Sequence, residues 1–242
     1  VDFAGMKAAL AAMAPRSIVV LHACCHNPTG ADLTEAQWQE VAQTCVAGEL
    51  VPFLDMAYQG FAEGIDADAT AVRHFLAAGI PFFVSSSFSK NFSLYGERVG
   101  ALSLVTGSRD EAERVLSQLK RVIRTNYSNP PTHGAALVAD VLASGELRAQ
   151  WEEELGGMRR RIRAMREGLR QRLEAAVPGK DFSFVTGQRG MFSYTGLTPE
   201  QVERLKSEYG IYAVRSGRIC IAALNARNLD YVAEAIAAVL RG

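Results

Sequence analysis

Cysteine is scarce in this sequence: four residues in 242, at Cys24, Cys25, Cys45 and Cys220. No CxxC pair stands with a second ligand pair behind it, which argues against a zinc site. Cys24 and Cys25 are adjacent on an apolar run and fit buried, reduced thiols of a cytoplasmic protein. Net charge is missing too. The 26 basic residues balance the 26 acidic ones, so no overall field points to a nucleic-acid or membrane partner. No apolar run approaches the roughly 20 residues that span a bilayer. The opening residues, Val1-Asp2-Phe3-Ala4-Gly5-Met6, lack a signal-peptide layout. Internal repeats and low-complexity segments are absent as well.

What is present is an ordinary globular composition, 48% hydrophobic and 21% charged. A chain of this size can bury a substantial core without disulfide or metal support. Strand-like apolar runs alternate with helical patterns. The spacing predicts strands over 17–23, 51–54, 81–86 and 99–105, with Thr34 and Gln37 forming a capping box at a helix that Gly48 ends. Further helices are expected over 66–78, closed by Gly79, and over 109–125. This alternation predicts an α/β fold, a mainly parallel sheet with helices on both faces. The chain opens on Val within a helical pattern, 2–13, that runs straight into a buried strand. The expectation is that this domain is truncated at its N-terminus.

Beyond Asn129-Pro130-Pro131 the texture changes. Helices are predicted over 132–143 and about 147–176, then short strands over 181–185, 191–194, 211–214 and 218–222, with helices over 199–208 and 229–240. That layout predicts a small α+β C-terminal domain. Residues 1–145 would form part of the large domain, and 146–242 the long connecting helix and the small domain. The run Arg159-Arg160-Arg161-Ile162-Arg163 follows Glu152, Glu153 and Glu154, so it reads as a solvated helix face with intrahelical ion pairs rather than a nucleic-acid patch.

Ligands on parallel sheets sit beyond the carboxyl ends of the strands. Asn27 follows the first strand, Asp55 the second, and Ser87 and Lys90 the third. Singly, each has an ordinary explanation: a surface lysine, a turn-forming aspartate, an Asn-Pro turn, an ion-paired Arg98. Together they provide an amine for a Schiff base, an anion for a pyridine nitrogen, and hydroxyl and guanidinium donors for a phosphate. Tyr58, one turn after Asp55, adds a phenol, and the Asn27 amide could likewise serve a ring hydroxyl.

Seven strings carry a resemblance in order along the chain. They are His26-Asn27-Pro28-Thr29-Gly30, Asp55-Met56-Ala57-Tyr58-Gln59-Gly60-Phe61, Ser87-Phe88-Ser89-Lys90-Asn91-Phe92 and Leu94-Tyr95-Gly96-Glu97-Arg98-Val99-Gly100, followed by the stretch from Asn126 through Pro130-Pro131 to Gly134, then Gly190-Met191-Phe192-Ser193 and Ser216-Gly217-Arg218-Ile219. Over essentially its whole length the chain resembles the aspartate and aromatic aminotransferases, class I enzymes that use pyridoxal 5'-phosphate.

The resemblance implies a role for each matching residue. Lys90 would carry the cofactor as a Schiff base and move the proton during catalysis. Asp55 would pair with the pyridinium nitrogen, Asn27 and Tyr58 would bind the ring oxygen, and Ser87 and Arg98 would anchor the phosphate. Arg218, with Asn27, would bind the substrate α-carboxylate. Arg124 would reach the neighbouring subunit's site to meet a distal carboxylate, which implies a homodimer. Asn27-Pro28 would be a cis bond. The implied reaction moves an amino group between an L-amino acid, aspartate or aromatic, and 2-oxoglutarate. Arg215 and Gln188-Arg189 depart from the family's pattern.

Three other readings use the same residues. The chain could be an incomplete, inactive fragment of the enzyme, since the family's phosphate loop and ring-stacking aromatic lie upstream of any matching string. A pyridoxal-phosphate-binding sensor domain of a transcription regulator would need an N-terminal DNA-binding segment. A decarboxylase or lyase would have little use for two carboxylate clamps, Arg218 and Arg124.

Overall fold

The computed structural model describes residues 1–242 and divides them into two compact units. The first comprises 1–24, 33–60 and 64–154, and the second 25–32, 61–63 and 155–242.

In the first unit the backbone follows local chemistry closely. Asp2 accepts a hydrogen bond from Gly5 N (2.9 Å) and starts α1 (Phe3–Ala11). Strand β1 (Ile18–His22) leads on to α2 (Glu35–Ala47). Thr34 and Gln37 form the reciprocal capping box there, and Gly48 caps the other end. Strand β2 (Val51–Met56) precedes a 3₁₀ turn (Ala67–Ala69) and α3 (Thr70–Ala78), which Gly79 ends in the left-handed conformation (φ 71°). The single helix expected over 66–78 is thus split. Asp68, in the 3₁₀ turn, is buried, and its carboxylate accepts from Gly60 N (2.7 Å) and Gly64 N (3.2 Å). That loop-closing duty sets its own backbone geometry.

Strands β1, β2 and β3 (Phe82–Ser87) pair in parallel, and β4 (Gly100–Val105) adds antiparallel to β3, in the order β1-β2-β3-β4. One face of the sheet is packed. Val19, Leu21, Leu54, Met56, Phe82 and Val84 join Trp38, Val41, Cys45, Ala71 and Phe75 from the helices in one core. The other face carries Ile18 and Val20 of β1, which are 65% and 63% exposed. The uninterrupted apolar run Ile18-Val19-Val20-Leu21 is the composition of a strand covered on both faces. Phe75 lies between Phe82 (5.7 Å) and Trp38 (6.5 Å) with no exposed surface. Phe75→Ala is expected to cost about 3–5 kcal/mol, read as a lowered urea midpoint; an unchanged midpoint would remove this ring from the core.

The unit continues with α4 (Arg109–Asn126), capped by Ser108, with α5 (His133–Ala143) and with the beginning of α6 (Gly145–Ala176). The second unit takes α6 from Leu155 onward. It adds α7 (Ser183–Gly187), β5 (Phe192–Tyr194), α8 (Pro199–Tyr209), β6 (Arg218–Cys220), a 3₁₀ turn (Ile221–Ala223) and α9 (Leu229–Arg241). β5 and β6 form an antiparallel ladder. Leu155, Ile162, Leu169 and Leu173 of α6 are buried, as are Val202 and Leu205 of α8 and Ile236 and Val239 of α9.

Two predicted strands are absent. Residues 181–185 turn into α7, because the Asp181 carboxylate accepts from Ser183 N (2.7 Å) and Ser183 Oγ (2.9 Å), a local turn that outweighs the β-forming Phe and Val. Residues 211–214 run irregularly between Gly210 (φ 64°) and the turn at Gly217 (φ 87°). The arginine run in α6 works within its own unit. Arg161 donates to Leu224 O and Ala222 O, both at 2.8 Å, and Arg163 pairs with Glu63.

Candidate active site

Lys90 follows β3 in a loop held by buried neighbours. Ser89 and Asn91, on either side, are 4% and 5% exposed. Trp151 Nε1 donates to Asn91 O (2.7 Å), its ring stacks on Phe92 (4.5 Å), and Asn91 Nδ2 donates to Gln59 O (3.3 Å). Lys90 therefore stands on a fixed stem while its own side chain is partly exposed. The Nζ lies 5.0 Å from the ring centre of Tyr58 and 5.9 Å from that of Tyr95. Such placement over aromatic faces suits a cation.

Asp55 occupies the β2 position paired in register with Ser85 of β3 and His22 of β1, and its Oδ1 accepts from Ala57 N (3.0 Å). Tyr58, just beyond, is buried. Ser87 ends β3, and its Oγ accepts from Ser89 N (3.2 Å). The ladder pairs Ser87 with Gly100, two residues after Arg98, so both phosphate candidates belong to the same end of the β3–β4 pair. Arg98 is exposed, has φ 53°, and donates from Nη1 to Tyr95 O (2.8 Å). Arg124 stands apart: it is exposed near the end of α4 and donates to Ser128 Oγ. Cys45 lies in the core, where burial pushes its thiol up to about 11, the behaviour of an inert structural cysteine.

The second unit holds the other named residues. Arg218 Nη1 donates to Asn27 Oδ1 (2.9 Å), bringing together two residues 191 positions apart. The Arg218 guanidinium lies over the Phe192 ring, 4.7 Å from its centre. The loop bearing Asn27 is folded by Asp32, whose carboxylate accepts from Cys25 N (2.7 Å) and His26 N (2.8 Å). Its Asn27-Pro28 bond is cis. Gly30 (φ 69°) and Gly190 (φ 77°) are tight positions. A Cβ on Gly30 would stand 2.7 Å from Phe192 O, and one on Gly190 would stand 2.5 Å from the Cβ of Cys25.

Two residues of this cluster are not marked by any motif chemistry. Phe192 is an aromatic of the β5–β6 ladder, and Arg166 carries a charge on the apolar stripe formed by Ile162, Leu169 and Leu173. The departure at Arg189 has a local use. Arg189 Nε donates to Glu63 (2.9 Å), which Arg163 also engages. Burial pushes the Glu63 carboxyl up, but the hydrogen bonds and charges of Arg163 and Arg189 outweigh it and hold it below its ordinary value.

Comparison with known proteins shows the family. The family described as aminotransferase class I and II matches residues 1–236. The aspartate aminotransferase of Pseudomonas aeruginosa is 65% identical over 99% of this chain and 60% of its own length. The aromatic-amino-acid aminotransferase of Escherichia coli is 52% identical over the same shares. A crystal structure of the Burkholderia pseudomallei aromatic-amino-acid aminotransferase, described as covalently bound to pyridoxal phosphate, is 70% identical with a TM-score of 0.98, covering 99% of this chain and 60% of that one. The chain thus spans about three fifths of the length of these relatives. With the match running from the first residue to within six of the last, this chain belongs to the class I and II aminotransferase family.

Proposed function

We propose that this protein serves transamination of an L-amino acid, aspartate or an aromatic one, with 2-oxoglutarate as amino acceptor. One observation carries the reading: a lysine on a fixed stem beside the Tyr58 ring follows the strand edge that also carries the Asp55 carboxylate and the Ser87 hydroxyl, with the Arg98 guanidinium at the same end of the β3–β4 pair. The names of the relatives, aspartate and aromatic-amino-acid aminotransferases, support the substrate class.

The donor set fits pyridoxal phosphate. When bound, the cofactor supplies an aldehyde carbon for the Lys90 amine and a protonated ring that accepts an electron pair. Asp55 is assigned to the ring nitrogen, where a carboxylate favours the protonated form. Tyr58 and Asn27 are assigned to the ring oxygen, and Ser87 and Arg98 to the phosphate, by hydroxyl donation and a planar guanidinium. Lys90 Nζ is the attachment point. With the cofactor held in place, Lys90 Nζ is also the base that takes up and returns the proton of the substrate α-carbon. Arg218 binds the α-carboxylate, with Asn27 steadying its guanidinium.

Arg124 belongs in this reading to the site of a partner subunit, where it meets the distal carboxylate of a dicarboxylic substrate, so the working form is a homodimer. Residues 1–145 contribute to the cofactor domain, and 146–242 form the connecting helix and small domain. The four cysteines are free thiols and no helix is long and apolar enough to cross a membrane, which is compatible with the cytoplasmic location we assign.

An absorbance titration tests the reading. Adding pyridoxal phosphate is expected to produce a band distinct from the free cofactor, and adding aspartate should change it. A folded protein that yields no such band would show that this chain does not hold the cofactor by itself, the outcome the incomplete-fragment reading expects.

A further inference from the structure

Charged side chains seldom lie fully buried without a counter-charge. Arg166 is 3% exposed. The acceptors around its guanidinium are backbone carbonyls: Nη1 donates to Val185 O (2.8 Å), and Nη2 to Gly190 O (2.8 Å) and Phe192 O (2.6 Å). Its Nε is buried without a partner. Burial pulls the guanidinium down to about 10, with Cys25 and Asp32 favouring the charge and Arg189 opposing it. Packing alone does not call for such a residue. Ile162 and Leu169 fill neighbouring places on the same stripe of α6 with apolar side chains. What a planar fork adds is simultaneous reach to separate carbonyls, which an ammonium offers less well.

Those carbonyls lie where the carboxylate-binding pair is built. Gly190 and Phe192 bracket the entry to β5. The Phe192 ring lies beneath the Arg218 guanidinium, and Phe192 pairs with Cys220 in the ladder that carries Arg218. The same stretch seats the Asn27 loop. Arg189 N donates to Gly30 O (2.6 Å), while Gly190 packs on Cys25 too closely to admit a Cβ. One buried guanidinium thus ties down a backbone junction supporting the ring under Arg218 and the loop presenting Asn27.

We propose that Arg166 is a positioning residue for the substrate-carboxylate site, fixing the Gly190–Phe192 backbone on which the Arg218–Asn27 pair depends. This rests on the aminotransferase reading above. It concerns how tightly a carboxylate is held rather than the proton transfer at Lys90, so it separates KM from kcat. Weakening an interaction made equally in ground and transition states raises KM and leaves kcat. A displacement of about 1 Å at a binding group can cost roughly 100-fold, and a partial loss is expected from the conservative variant.

The test uses the protein loaded with pyridoxal phosphate. Arg166→Lys is expected to raise KM for aspartate about 10-fold, with kcat within about 3-fold and the cofactor band and circular dichroism unchanged. Phe192→Leu keeps the backbone and removes the ring, and should also raise KM; the double variant should fall short of the product of the two effects because they share one path. A folded Arg166→Lys protein with wild-type KM overturns the proposal. Should that variant fail to fold, wild-type KM in Phe192→Leu overturns it by breaking the link to Arg218. Failure of the aminotransferase reading would show differently, as a wild-type protein without turnover. Calorimetric binding of succinate then decides the positioning role: affinity weakened about 10-fold in Arg166→Lys supports it, and equal affinity overturns it.

Discussion

Replacing Lys90 with alanine is expected to reduce transamination by more than about 1,000-fold, since the variant loses both a covalent attachment point and the group that relays the proton. The environment of the residue makes this a clean experiment. The stem is held by neighbours rather than by Lys90 itself: Trp151 and Gln59 anchor Asn91, and Ser89 and Asn91 are buried on either side. The Lys90 side chain contributes ring contacts to Tyr58 and Tyr95 at 5.0 and 5.9 Å, and interactions of that kind at partly exposed sites amount to roughly 0.5–1 kcal/mol. The fold should therefore survive, with circular dichroism and the urea midpoint close to those of the parent. The cofactor band and the turnover should go together. Substantial retained turnover would take the catalytic role away from Lys90. A retained band with lost turnover would confine it to proton transfer.

The positions of Asp55 in β2, and of Ser87 and Lys90 at and just after the end of β3, were legible in the sequence because the signals were local: short apolar runs bounded by turns, with parallel strands delivering their last residues to one edge of a sheet. The capping box at Thr34, the left-handed glycine at Gly79 and the long α6 likewise follow from chemistry within a few residues.

What the sequence hid depends on partners far along the chain or on competition between local preferences. The contact between Asn27 and Arg218 spans 191 residues, and periodicity does not report such a meeting. Arg166 looked like one more cation in an arginine-rich helix, although its spacing from Ile162 and Leu169 placed it on the buried stripe. Residues 181–185 have strand-forming side chains, and only the Asp181–Ser183 turn reverses the outcome. The antiparallel direction of β4 is set by how the 88–99 loop returns the chain, which composition does not specify. The exposure of Ile18 and Val20 is likewise beyond a reading of their residue types, which are those of a strand covered on both faces.

Arg218→Ala should lower kcat/KM for aspartate by about 100- to 1,000-fold, equivalent to roughly 3–4 kcal/mol, within the range for truncating one member of a hydrogen-bonded charge pair. The Arg218 fork has five donors; one is committed to Asn27 Oδ1 at 2.9 Å, and the Phe192 ring supports its face at 4.7 Å. That arrangement fixes the plane of the guanidinium before a carboxylate arrives, so little ordering remains to be done on binding. Alanine removes the fork and with it the hydrogen bond that Arg218 Nη1 donates to Asn27 Oδ1. The loss should appear chiefly in KM, and it should appear for every substrate. Aspartate, an aromatic amino acid and 2-oxoglutarate all carry the α-carboxylate, so KM should rise in parallel for all three. The cofactor band should persist, because the residues assigned to it in the first unit are untouched. Arg218→Lys restores the charge but not the planar pair of bonds, and should fall between alanine and the parent. Unchanged kcat/KM in Arg218→Ala would remove the residue from carboxylate binding. A loss confined to dicarboxylic substrates, with an aromatic amino acid spared, would reassign it to the distal group, a role now given to Arg124.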